Sequence, residues 1–135
     1  LSYEPGDLTD LKMIDERGVA LSSLIGEPGE TFGYSYDFGD DWQHIVTFEH
    51  KGDREPRVAY PRCIDGQGAC PPEDCGGTHG FSKLKRILKK PTHKEYKVYM
   101  EWIGYPYDPE HADFSNFQKD LRKLREGALM DALGL

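Results

Sequence analysis

The residues that could do chemistry in this chain fall in two stretches. One is Tyr34-Ser-Tyr-Asp-Phe-Gly-Asp-Asp-Trp-Gln-His44; the other runs from Cys63 and ends Cys70-Pro-Pro-Glu-Asp-Cys-Gly-Gly77. Asp37, Asp40, Glu73 and Asp74 are hard oxygen donors, and His44 adds an imidazole. If the two stretches meet, they could hold a divalent metal and activate water, which makes a metal-dependent hydrolase or nuclease. The same residues have an ordinary use. Asp37 and Asp40 bond turn amides, and Glu73 or Asp74 caps a helix that follows Gly77.

The thiols raise a separate possibility. Cys63, Cys70, Cys75 and His79 place three soft ligands and an imidazole within 17 residues. Zinc takes four such ligands in a tetrahedron, and His44 could replace His79 as the fourth. The spacing lacks the paired Cys-x-x-Cys of common zinc modules, and three reduced cysteines packed under a loop fit the same residues. A third feature is basic. Lys83, Arg86 and Lys90 belong to a run that makes residues 78–100 net +6. Such a run could touch nucleic acid or an acidic protein partner, or be the solvated face of a helix. No P-loop, Gly-x-Ser-x-Gly or His-Glu-x-x-His accompanies these features.

Several elements must position these groups. Phe32, Tyr34 and Tyr36 alternate with small residues, and Trp42, His44, Val46 and Phe48 alternate with Gln43, Ile45, Thr47 and Glu49. This is the period of two strands. Asp37-Phe-Gly-Asp-Asp41 between them is a turn, so residues 31–50 form a hairpin with an acidic tip. Arg57–Tyr60 reads as a further short strand. Residues 61–77 form a long connection that packing or a metal must hold. Upstream, residues 1–18 look irregular, and Ser22 caps a short helical turn. Downstream, Phe81, Leu84, Ile87 and Leu88 mark a first helix that ends at Pro91. Thr92-His-Lys-Glu95 has the form of a capping box opening a second helix, with Tyr96, Tyr99, Met100 and Ile103 inward and a stop at Gly104. Asp113 or Ser115 caps a third, with Phe114, Phe117, Leu121 and Leu124 inward, fading at Gly127. The expected fold is α+β: a hairpin or small antiparallel sheet packed with about three C-terminal helices, in one domain over residues 1–135.

Composition narrows the setting. With 37% hydrophobic and 30% charged residues, the 135-residue chain reads as globular rather than disordered. Residues 1–60 carry 13 acidic and 5 basic side chains, net −8, and residues 61–135 carry 11 and 12, net +1. This balance argues against a general phosphate-backbone binder. No apolar run is long enough to span a membrane, and the acidic start at Glu4, Asp7 and Asp10 lacks the basic region of a secretion signal. The expected setting is therefore the reducing cytoplasm, where three cysteines are thiols or metal ligands.

The motifs resemble a known family. Tyr-x-Tyr-Asp-Phe-Gly-Asp-x-Trp-x-His at 34–44, Pro-x-Cys-x-x-Gly at 61–66, Pro-Pro-Glu-Asp-x-Gly-Gly at 71–77 and Asp-Pro-Glu at 108–110 occur in order. They are similar to the plasmid pRiA4b ORF-3-like family, from about residue 20 to about residue 125. The resemblance implies an α+β fold, intracellular residence, and a binding or accessory role in a plasmid or transposon context. It implies no defined activity. It also implies a preceding strand-and-helix segment with a Pro-x-x-Trp-Arg-like motif, which this chain lacks.

Overall fold

The computed structural model describes residues 13–134. The expected irregular stretch at 1–18 lies mostly outside them. The elements in chain order are α1 (Leu21–Leu24), β1 (Thr31–Tyr36), β2 (Trp42–Thr47), α2 (Gly77–Leu88), α3 (Tyr96–Ile103) and α4 (Phe114–Leu133). The β1–β2 hairpin with its following helices is the α+β arrangement expected. The chain divides into two compact units, and the boundary crosses both strands of the hairpin.

The first unit holds the residues up to Tyr34 with Ile45–Lys51. Its short helix starts after Ala20, not at Ser22; the Ser23 hydroxyl donates to the Ala20 carbonyl at 2.6 Å. The Gly26-Glu-Pro-Gly29 turn is closed by Glu30, whose carboxylate accepts from the Gly26 and Glu27 amides at 2.6 and 3.1 Å. Those bonds to the anion hold Glu30 below the usual carboxylate range. Reciprocal backbone bonds, Gly29 to Phe48 and Phe48 to Glu30, then join the two sides of the hairpin base.

The second unit holds the hairpin tip, Ser35–His44, and everything from Gly52 onward. Its core lies where α2 packs on α3. Gly77, Leu84 and Ile87 from α2, Ile103 from α3, Ala112 and Pro72 are its buried described residues. The α2 stripe is the one expected, because positions three and four apart share a helix face. Lys83 ties the two helices: its ammonium lies 3.6 Å from Glu95 and over the Tyr99 ring.

Three local expectations are corrected. Thr92 does not cap α3. Instead the Glu95 amide donates to His93 Nδ1 at 3.1 Å, and turn bonds from Lys90 through Tyr96 deliver the chain into the helix. Gly104 then ends it with a left-handed φ of 77°, as its position suggests. Arg57–Tyr60 is not a strand: Arg57 has φ 65°, which interrupts extended pairing. Finally, α4 is capped by Asp113, whose carboxylate accepts from the Asn116 amide, but it does not fade at Gly127. Strong helix formers on both sides of Gly127 carry it to Leu133, since one glycine costs only ~1 kcal/mol. Of the α4 residues expected inward, Leu124 and Phe114 are exposed, Leu124 at 61%.

Candidate functional site

The hairpin tip is a self-bonded turn. Asp37 and Asp41 take left-handed φ values of 54° and 53°, which Asp tolerates better than most residues. The Asp37 carboxylate accepts from the Gly39 amide at 3.0 Å and the Asp40 amide at 3.4 Å. Its carbonyl accepts from the Asp41 amide at 2.6 Å. Across the strands, Ser35 donates to Gln43, and Gln43 donates to Asp41. Phe38 stands on this turn 81% exposed.

The loop does meet the tip. Asp40 Oδ2 accepts from the Gly76 amide at 3.1 Å, so a hairpin carboxylate is bonded to the residue that precedes α2. The expected caps, Glu73 and Asp74, do not serve α2. Gly77 lies so close that a Cβ there would collide with the Asp40 carbonyl. The Tyr36 hydroxyl donates to both Glu73 oxygens, at 3.1 and 3.3 Å. That bond, with the Glu73 charge behind it, raises the Tyr36 pKa, because ionising the phenol would place two anions together. The Trp42 ring meets Phe81 of α2 edge-on at 6.2 Å.

The rest of the 61–77 connection is held by other segments. Ala69 donates to the Pro109 carbonyl at 3.0 Å, and the Tyr107 hydroxyl donates to the Cys70 carbonyl at 2.9 Å. Partial burial, with Tyr105 and the thiols nearby, pushes Tyr107 up to about 12. From α4, Gln118 donates to the Cys63 carbonyl at 3.0 Å, and Arg125 Nη1 reaches the Ala59 and Pro61 carbonyls at 3.0 and 2.9 Å. Long connections need such partners for their backbone groups. Tyr107, Gln118 and Arg125 were not singled out by the sequence. The signal for Tyr107 was its place between two prolines: a phenol that comes to rest partly buried needs an acceptor.

Two of the thiols, Cys70 and Cys75, share Glu73 and Tyr107 as neighbours. Cys63 is anchored beside α4, Cys70 beside Tyr107 and Glu73, and Cys75 beside Asp40 and Gly77. All three are free cysteines. Burial first, then Glu73 or Asp40, raises the Cys70 and Cys75 pKa values, so both are poor thiolates near neutral pH. Among the described residues, no three His, Cys, Asp or Glu side chains gather into a group able to hold a metal ion. His44 and His79 are both exposed. Of the five hydrolytic candidates, Asp37, Asp40 and Glu73 are bonded to turn amides, the Gly76 amide and a tyrosine. Asp74 is exposed at φ 58°. Of the basic candidates, Lys83 is bound to Glu95, while Arg86 and Lys90 are exposed on and just after α2.

Tip, loop and Asp108-Pro109 turn are thus one bonded assembly, and they carry the four spaced motifs. A family model described as plasmid pRiA4b ORF-3-like protein matches residues 2–116. The chain belongs to that family. An uncharacterized protein of Sinorhizobium fredii is 37% identical over 110 residues, covering 78% of this chain and 55% of its own length. A crystal structure of a protein of unknown function from Methanosarcina mazei is similar at 35% identity, with a TM-score of 0.67 over 76% of this chain and 58% of that one. The chain therefore spans a little over half the length of these relatives. No described helix is long and apolar enough to cross a membrane.

Proposed function

We propose that this chain is a binding module whose working surface is the hairpin tip braced on the 70–77 loop. The observation that carries the reading is the exposed Phe38 on a turn held from both sides. Its own aspartate closes the turn, and Asp40 fastens it to Gly76. A large aromatic side chain held in water on a rigid support is a poor use of a core residue and a good anchor for a partner. The carboxylates Asp37, Asp40 and Glu73 build the support, so a hydrolytic site there would have to break the contacts that form it. The family's description ties it to a plasmid, and an accessory role in a plasmid or transposon context fits a module of this kind.

The test is a photoreactive amino acid at position 38, irradiated in the native host. A discrete adduct is expected from position 38 and none from the same probe at Lys94, an exposed residue away from the tip. A probe at 38 that gives no adduct would remove the reading.

A further inference from the structure

The second unit carries a surface that matches its own hairpin tip. Between the 59–61 segment and α4 lies an open groove of about 520 Å³. Its floor is apolar, from Ala59, Pro61, Leu124 and Ala128, and Arg54 and Arg125 flank it. Leu124 is 61% exposed there, on an α4 stripe whose Phe117 and Leu121 are half-buried. The arginines are fixed. Arg54 stacks on the Tyr60 ring at 5.1 Å, and Arg125 is held by the Ala59 and Pro61 carbonyls. The tip has the opposite character: one exposed phenylalanine among Asp37, Asp40 and Asp41. A volume within the range of ordinary ligand pockets (~300–1,000 Å³) easily takes a phenyl ring.

The geometry points to a second copy of this chain as the occupant: Phe38 of one copy seats in the Leu124 groove of another, with the tip aspartates facing Arg54 and Arg125. Apolar complementarity at the centre and opposite charges at the rim favour this pairing over an uncharged or basic partner. No described residue covers either feature, since Phe38 and Leu124 both remain in water. Because knob and groove are different surfaces, the contact is head-to-tail and can extend beyond a dimer. The inference rests on the binding-module reading and names the partner.

Sedimentation of the purified chain tests it, with Phe38→Ser removing the knob and Leu124→Glu blocking the groove. Both positions are exposed, so both variants should keep the wild-type melt. The wild-type mass should climb with concentration, and less steeply as salt rises. Each variant alone should stay monomeric. An equimolar mixture of the two should form a one-to-one dimer and stop, because only one intact knob and one intact groove remain. A wild-type chain that is monomeric at all concentrations overturns the inference, as do variants that associate like wild type or a mixture that stays monomeric. If the chain is monomeric but position 38 still crosslinks another protein in cells, the second-copy inference falls and the binding-module reading stands. A monomeric chain with no adduct removes both.

Discussion

The acidic and phenolic side chains of the tip and loop are committed to hydrogen bonds within the chain. Asp37 serves its own turn, Asp40 the Gly76 amide, Glu73 a tyrosine, and Tyr107 the Cys70 carbonyl. The phenols give this a pH signature. Tyr36 and Tyr107 both titrate above the ordinary tyrosine value near 10, Tyr36 because of Glu73 and Tyr107 chiefly through burial. A folded-state pKa that is raised means the folded chain keeps the proton longer than the unfolded one. The stabilisation is therefore complete below about pH 10 and is lost as pH rises toward about 12. Urea midpoints measured from neutral pH to pH 12 should fall steeply over that window for the wild type. They should fall less for Tyr107→Phe, which has no proton to lose. Equal slopes would mean that the Tyr107 environment is no different in the folded chain.

At the level of elements, the tip and α2 are joined by backbone at close range. Gly76 donates to Asp40, and Gly77 takes φ 65° against the Asp40 carbonyl. Gly77→Ala must either strain φ or push the two segments apart, and neither neighbour is a flexible side chain. Overpacking of this kind costs about 1–3 kcal/mol. Gly127 is the internal control. It is helical, and nothing lies within 4 Å of where a Cβ would be. Gly127→Ala should stabilise α4 by about 0.5–1 kcal/mol. Chemical denaturation of the two variants should therefore move in opposite directions. The same contrast explains what was readable beforehand. The α2 stripe of Leu84 and Ile87 and the α4 cap at Asp113 are short-range patterns, and both are realised. The α3 cap was misassigned because His93 and Thr92 compete for the same amides, and the winner depends on how the preceding turn is wound.

Across the whole molecule, the 61–77 connection decides what kind of protein this is. The sequence left two ways to hold it, packing or zinc. Hydrogen bonds tie it from the hairpin, from Tyr107 and Pro109, and from α4. Cys70 and Cys75 share Glu73 and Tyr107 as neighbours while Cys63 is tied to α4, and among the described residues no three metal-ligating side chains gather at one point. Thermal melts in excess chelator at equilibrium should match those without it, and the dialysed, untagged chain should carry no stoichiometric zinc on elemental analysis. A lowered melt together with one zinc per chain would restore the clamp through Cys63, Cys70 and Cys75. The sequence alone determined the α+β class, the hairpin, the helices and the family. These depend on periods of two and 3.6 residues and on motifs spaced along the chain, which are local properties. Only the tertiary structure decided that Asp40 bonds Gly76 while neither Glu73 nor Asp74 caps α2, that Glu73 belongs to Tyr36, and that Phe38 and Leu124 stay in water. Those outcomes are set by contacts across some 36 or more residues, where no local propensity distinguishes one carboxylate or one apolar side chain from the next.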